Sequence, residues 1–267
     1  MLTPRPYQEQ GITEIHAAIA DGCQDVLYAL STGGGKTFMF CYMAAAAAAM
    51  GTRTCIIVHR NELIKQASRS LEALGIEHGV ISAQYNQTSK YALIQVASIQ
   101  TLVRRTGYDF DFLIFDEAHH CTSDTWRTVR ARHPEAVALG VTATPCRLSG
   151  RGLGTIFERL IVGPSMTELI AGGFLVPAKV YAPQTLDLSC LRVRGGDYLK
   201  EQLSDLMDRR EITGCAVQHY RRLCDGYPAV AFCVSVAHAE HVAAQFRAEG
   251  YRAASIDGGM PQDERDQ

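Results

Sequence analysis

Charge of one sign is what this sequence has least of. Among 267 residues, 26 lysines and arginines stand against 28 aspartates and glutamates, a net charge of −2. Bulk charge therefore draws in neither a polyanion nor a membrane surface, and any polyanionic partner must be held by local patches or backbone amides. Long apolar runs are also missing. The longest, Phe38–Met50, falls short of the roughly 20 residues that cross a bilayer, and the polar, two-proline stretch Met1–Gln10 does not read as a secretory signal. The nine cysteines are an odd number with no C-x-x-C pair. Cys215, His219 and Cys224 lie close in sequence, as do His119, His120 and Cys121, but neither spacing matches a zinc site. Reduced thiols packed as small hydrophobes are the expectation, in a soluble, cytoplasmic, zinc-free protein with no membrane partner. There is no internal repeat.

What is present is an ordinary globular composition, 47% hydrophobic and 20% charged, which excludes a disordered or collagen-like chain. At about 150 residues per domain the length suggests two domains. Short β-branched runs alternate with helical stretches from Asp25 to Thr144. Val26–Leu30, Cys55–His59, Ile94–Ser98, Phe112–Phe115 and Val137–Thr142 read as buried strands. In Glu62–Gly75, Leu63, Ala67, Leu71 and Leu74 recur at helical spacing and Gly75 supplies a stop. Lys36–Met50, apolar nearly all round, predicts a buried helix. The pattern is that of an α/β fold, a parallel sheet covered by helices on both faces.

Beyond Gly150 the periodicity loosens. A short helix is expected at Met166–Ala171, a strand at Lys179–Tyr181, an exposed loop at Arg192–Gly196 and one or two helices in Tyr198–Cys224. A strand at Ala229–Val234, a helix at Ala237–Glu249 and a strand at Ala253–Ile256 follow. The domain boundary is set near Gly172, giving a first domain 1–172 and a second 173–267. Pro261–Arg265 reads as the first turn of a helix that has placed no apolar residue before Gln267. The expectation is a fragment of a longer protein.

Two stretches carry chemistry. The first strand runs into Ser31-Thr32-Gly33-Gly34-Gly35-Lys36-Thr37, which opens a helix. Glycines let backbone N–H groups wrap phosphates, the helix N-terminus adds partial positive charge, Lys36 reaches β- and γ-phosphates, and the Thr37 hydroxyl can ligate magnesium. Against G-x-x-x-x-G-K-[ST] there is one departure, Leu30 in the place of the first glycine. The apolar strand Phe112–Phe115 then delivers Asp116-Glu117-Ala118-His119 at its C-terminal end, where ligands of parallel sheets bind. The first acid can hold magnesium and the second can orient or deprotonate an attacking water. Together they predict a site that hydrolyses ATP or GTP.

Ser31–Thr37, Asp116–His119 and Thr142-Ala143-Thr144-Pro145, in that order, resemble motifs I, II and III of superfamily 2 DEAD/DEAH-box helicases and translocases. Arg5-Pro6-Tyr7-Gln8 resembles the motif whose glutamine reads adenine in related proteins. His59-Arg60-Asn61-Glu62-Leu63 and Ala97-Ser98-Ile99-Gln100-Thr101-Leu102 resemble motifs Ia and Ib, which touch the nucleic-acid backbone. Phe232–Val236 with His238-Ala239-Glu240 resembles motif IV, at the start of a second RecA-like domain. Leu30 and Arg147 fit the branch of RadD-like and XPB-like enzymes. Motifs V and VI are absent from these 267 residues. Their arginines are worth about 10³–10⁵ in rate in related hydrolases, so this chain alone is predicted to hydrolyse ATP weakly or not at all.

The resemblance implies two RecA-like domains, the second incomplete, an ATP-driven motor, ATP and magnesium as cofactors, and nucleic acid, DNA before RNA, as partner. It assigns nucleotide to Gln8, Thr32, Gly33, Gly34, Gly35, Lys36 and Thr37, magnesium to Thr37 and Asp116, and catalysis to Glu117, Lys36 and Asp116. Coupling falls to His119, Thr142 and Thr144, and nucleic-acid contact to Arg60, Ser98, Gln100 and Thr101. Plainer readings stand beside these: Thr37 as a helix cap, His119 as a structural histidine, Arg60 as a solvated charge. Tyr7 and Trp126 read as packing residues. Arg127, Arg130, Arg132, Arg147 and Arg151 form either a basic patch or a solvated face. The motor of a restriction enzyme and a nucleotide-gated binding module without turnover are the competing functions.

Overall fold

The alternation of apolar strands and helices builds, in a computed structural model of the chain, a seven-stranded sheet. The structure describes residues 3–84, 89–121, 124–145, 152–181, 193–194, 197–198 and 210–260. Two compact units divide the chain, Met1–Lys179 and Val180–Gln267.

The first unit runs α1 (Pro6–Ala20), β1 (Asp25–Ala29), α2 (Lys36–Ala49), β2 (Thr54–Val58), α3 (Asn61–Ala73), β3 (Gly79–Ile81) and β4 (Ile94–Ser98). It continues through α4 (Ile99–Leu102), β5 (Phe112–Asp116), a 3-10 turn at Ala118–His120, α5 (Asp124–Arg132), β6 (Val137–Thr142), β7 (Arg159–Val162) and α6 (Met166–Ala171). The strand order is β3-β4-β2-β5-β6-β1-β7, and every pairing is parallel. Period-two alternation sorts the strand residues into two cores. Val26, Tyr28, Ile56, Val58, Ile114 and Leu139 face α1, α2 and α3, where Ile15, Phe40, Ile64 and Leu71 meet them. Leu27, Cys55, Ile57, Leu113 and Phe115 face the opposite side, against Leu102, Trp126, Val129 and Phe157. Each large side chain removed from water this way contributes roughly 1.5–3 kcal/mol.

Close packing explains particular glycines. A Cβ on Gly11 or Gly163 would stand 2.4 Å from the Tyr28 hydroxyl, and one on Gly140 would stand 2.4 Å from the Phe157 ring. Gly75 ends α3 at φ +72°, as its sequence position predicted.

Several expectations are corrected. α2 is buried on one face only: Met39, Phe40, Cys41, Met43 and Ala44 are inside, while Ala46 and Ala49 face solvent. Alanine methyls are small enough that an apolar helix can leave them outside at little cost. Lys179–Tyr181, Ala229–Val234 and Ala253–Ile256 are not strands, and Val180, Val230, Phe232 and Ile256 are exposed. A strand exists only where a neighbour completes its ladder, and among the described residues none lies beside these segments. The second unit, taken by itself, has a two-residue ladder, β8 (Val193–Arg194) with β9 (Asp197–Tyr198), and helices α7 (Arg210–Cys224) and α8 (Val236–Ala248). The rings of Tyr220, Phe246 and Tyr251 pack edge to face there. The readings at Pro261–Arg265, at Arg147 and at Arg151 lie outside the described residues, as does most of the 192–196 loop.

Candidate functional site

Strands β5, β6 and β1 lie side by side, with Asp116 in register with Val141 and Ala29 with Thr142. Asp116-Glu117, Thr142–Pro145 and the Ser31–Lys36 loop therefore leave the same edge of the sheet on adjacent strands. Parallel order, not sequence distance, makes them neighbours.

The loop after β1 is shaped by its glycines. Gly33 and Gly35 adopt φ +81° and +80°, a left-handed conformation that L side chains rarely tolerate. A Cβ on Gly34 would stand 2.8 Å from Leu30 Cγ, and one on Gly35 would stand 2.5 Å from Gln8 Nε2. Leu30, the departure from the glycine pattern, is buried and packs beneath the loop, and its N–H extends the ladder to Thr142 O at 2.9 Å. Lys36 Nζ donates to Leu30 O at 3.2 Å. Burial pushes its ammonium down from the usual lysine range, against the opposing pull of Glu117 and Asp116. Thr37 does not cap α2, whose cap position is Gly35; its hydroxyl accepts from Gln66 Nε2 at 3.3 Å. Thr32 is exposed on the loop.

Asp116 is pushed up to about 6, first by burial and then by the charge of Glu117, with Lys36 and the Glu117 N–H working the other way. That N–H donates to Asp116 Oδ1 at 3.0 Å. Glu117 sits at φ +52°, ψ +52°, a left-handed conformation that costs a non-glycine residue about 1–2 kcal/mol. Strain of this kind collects at functional positions. The lysine held down and the acid held up are each short of counter-charge. Phosphate oxygens and a divalent cation are the partners that fit such a pair.

Gln8 is buried. Its Nε2 donates to Gly34 O at 3.0 Å and Gly35 O at 3.4 Å, while its Oε1 accepts the Arg5 N–H at 2.9 Å. Tyr7 donates its hydroxyl to Gly34 O at 2.9 Å and meets Phe174 edge to face. The α1 N-terminus thus clamps the glycine loop. At the other end of the site, His119 Nδ1 lies 2.9 Å from Thr142 Oγ1 and 3.3 Å from Glu117 Oε2. Thr142 Oγ1 also accepts the Thr144 N–H at 3.1 Å. The three predicted coupling residues form one cluster.

Arg60, Ser98, Gln100 and Thr101 all line one cleft of about 590 Å³. Ser98 Oγ donates to Gln100 Oε1 at 2.6 Å, and Gln100 Nε2 donates to His59 O at 3.2 Å. His59 and Glu62, from the same His59–Leu63 stretch, also line it, and Ser82, Ala83, Gln84, Arg104 and Arg105, which were not anticipated, complete its walls. Arg104 and Arg105 follow Ala97–Leu102 after one residue, Val103, a signal that sequence could have offered. Ser82 and Gln84 follow β3, a strand too short to announce itself. Of the candidate arginine patch, Arg147 and Arg151 lie outside the described residues; Arg130 pairs with Asp25 at 2.9 Å, Arg132 donates to the carbonyls of Leu102, Val103 and Arg105, and Arg127 is exposed. Trp126 packs against Phe115 and Phe157. Among the described residues no group of three or more His, Cys, Asp or Glu could hold a metal ion, and no helix is long and apolar enough to cross a membrane.

The model of the family described as type III restriction enzyme, res subunit, matches residues 1–147. The chain is similar to a 51.5 kDa protein of a Lactococcus phage, 30% identical over 234 residues that make up 88% of this chain and 49% of that protein. It is similar also to the putative ATP-dependent helicase IRC3 of Saccharomyces cerevisiae, 26% identical over 98% of this chain and 41% of that protein. The chain thus spans about half the length of the curated relatives it matches, or less. Among solved structures, the ATP-dependent type ISP restriction-modification enzyme LlaBIII bound to DNA superposes with a TM-score of 0.65 at 14% identity, over 92% of this chain and 21% of that one. This last likeness is one of fold.

Proposed function

The chain belongs to the family described as type III restriction enzyme, res subunit, within superfamily 2, and from that membership we propose that it is the ATP-binding part of a motor that moves on or remodels nucleic acid. The observation that carries the reading is the convergence of the Lys36 loop, Asp116-Glu117 and Thr142–Thr144 at one sheet edge, with His119 bridging two of them. The loop amides and Lys36 hold the phosphates, Thr37 and Asp116 hold magnesium, and Glu117 orients the attacking water. Magnesium supplies charge neutralisation on the phosphates when bound. Gln8, already seated on the loop, reports on the adenine side.

The cleft lined by Arg60, Ser98, Gln100 and Thr101 takes a nucleic-acid backbone, by its arginines and hydroxyls. DNA is the preferred partner, since the solved relative by fold is a DNA complex. Residues from 173 onward form the start of a second RecA-like domain, a reading supported by the motif IV resemblance where α8 begins. Free thiols at Cys41, Cys55 and Cys121 support a cytoplasmic setting.

A second reading, the motor of a restriction enzyme, is favoured by the family's own description. An attached nuclease in the longer protein would single it out. A nucleotide-gated binding module without turnover is separated from both by hydrolysis.

The deciding experiment measures magnesium-dependent ATP binding and steady-state hydrolysis, with and without single-stranded and duplex DNA, beside Lys36→Ala. Binding that disappears in Lys36→Ala is expected, with weak turnover from residues 1–267. Failure of the wild-type chain to bind ATP would overturn the proposal.

A further inference from the structure

His120, the second histidine of Asp116–His120, has no role in the chemistry described above. Its surroundings give it one. The His120 ring lies 4.1 Å from the His119 ring and 4.6 Å from the His59 ring, centroid to centroid. His119 reaches Glu117 and Thr142 at the nucleotide edge. His59 lines the cleft, and its carbonyl oxygen accepts from Gln100, which in turn accepts from Ser98. The three imidazoles, tilted to one another at 46° and 55°, therefore form a continuous row of ring contacts between the candidate nucleotide site and the candidate nucleic-acid cleft.

The backbone around His120 suits it to move with Glu117. Residues Ala118–His120 form a single 3-10 turn closed by the His120 N–H on Glu117 O at 2.9 Å. Ala118 is fully buried, packed close to Gly140, so the turn is pinned at one point and bounded by strained Glu117 at its start. A backbone change at Glu117 displaces His120 as part of one small rigid piece. His59, half-buried, and His120, exposed but partly desolvated by its neighbours, are both lowered from the usual histidine range, with neighbouring positive charge pushing the same way and Glu117 opposing. Neutral rings pack at these tilts without mutual repulsion.

We infer that His120 is a positioning residue that couples nucleotide occupancy at Glu117 to the grip of the cleft, through its ring contacts with His119 and His59. The inference rests on the proposed function, because it needs both ligands to bind. The coupling runs through packing and the residue touches neither ligand.

The test is a linkage measurement on the whole chain, using a non-hydrolysable ATP analogue with magnesium and fluorescent single-stranded and duplex DNA oligonucleotides. Affinity for each ligand is measured alone and in the presence of the other, for wild type, His120→Ala and His120→Phe. In the wild type each ligand is expected to change the other's affinity by the same factor, about 5-fold or more. His120→Ala is expected to bring that factor to about one while leaving each separate affinity within about two-fold. His120→Phe, which keeps an aromatic ring in the row, is expected to retain most of it. A merely structural histidine would lower stability in both variants and leave the factor unchanged. Should His120→Ala fail to fold, His120→Gln carries the same expectation. Unaltered coupling in a folded, ring-free variant, or binding of both ligands by the wild type without coupling, overturns the inference and leaves the proposed function standing. Absence of ATP or DNA binding in the wild type overturns both.

Discussion

His119 Nδ1 and Thr142 Oγ1, 2.9 Å apart, join the end of β5 to the end of β6. The two residues belong to separate motifs, and β5 and β6 are hydrogen-bonded neighbours whose last paired residues are Asp116 and Val141. The bond therefore spans one strand spacing at the edge where the acids and the glycine loop also emerge. Thr142 is fully buried, so its hydroxyl has no water to fall back on.

Replacing Thr142 by valine keeps the shape and removes the hydroxyl. The Thr144 N–H and His119 Nδ1 each lose a partner, but Thr144 is exposed to water and His119 keeps Glu117 Oε2 at 3.3 Å, so the loss is that of ordinary hydrogen bonding, about 0.5–1.5 kcal/mol. Urea unfolding of Thr142→Val should show a loss in that range with an unchanged m-value. Wild-type stability in the variant would show that the cluster adds nothing to the fold.

Glu117 occupies left-handed backbone that glycine adopts freely. Glu117→Gly should raise the unfolding free energy by about 1 kcal/mol while abolishing ATP hydrolysis. Glu117→Gln, which keeps the strain, should match the wild type in stability and share the loss of hydrolysis. A destabilised Glu117→Gly would mean that the His119–Glu117 contact outweighs the strain.

The Tyr28 hydroxyl is buried, has no hydrogen-bond partner among the described residues and is wedged between Gly11 and Gly163. Tyr28→Phe removes an unpaired polar atom and keeps the ring, so a gain of about 1 kcal/mol is expected. Calorimetric Tm reads it directly. A lower Tm would overturn this account of the hydroxyl.

The folded-state pKa values of His59 and His120 lie below the ordinary 6.5. At these two groups the native chain binds fewer protons than the unfolded chain, and their contribution to stability rises with pH across that window. The contribution is fully present above 6.5 and is lost as pH falls through the folded values. Asp116, raised to about 6, works the other way below that value and is common to both proteins, so the readout is a difference: from about pH 7.5 down to about pH 5 the urea midpoint of the wild type should fall relative to that of His120→Asn. Equal slopes would show that His120 titrates normally.

Five of the seven strands were legible because each is a run of buried apolar residues long enough to read on its own. β3 and β7 were not. They are edge strands of three and four residues, and in β7 only Ile161 faces a core. The three strands expected at Lys179–Tyr181, Ala229–Val234 and Ala253–Ile256 failed for the converse reason: β-branched composition states a preference, and only a neighbouring strand satisfies the backbone. The nucleotide loop and the Asp116-Glu117 pair were readable since their chemistry lies in contiguous residues. The cleft residues Ser82 and Gln84, and the meeting of His59 with His120, were not, because the first join the cleft only when β3 is laid beside β4, and the second requires β2 beside β5.

The sequence by itself determined the parallel α/β architecture, the glycine loop with Lys36, the acids at the end of β5 and the family to which the chain belongs. All of these are written in local runs, where composition and spacing act on the residues that carry them. Tertiary structure alone decided the strand order, which face of α2 met the core, that Arg130 and Arg132 hydrogen-bond within the fold, and that the imidazoles of His59, His119 and His120 meet. Those outcomes follow from burying both faces of one sheet at once, a condition on residues far apart in the chain that no local stretch contains.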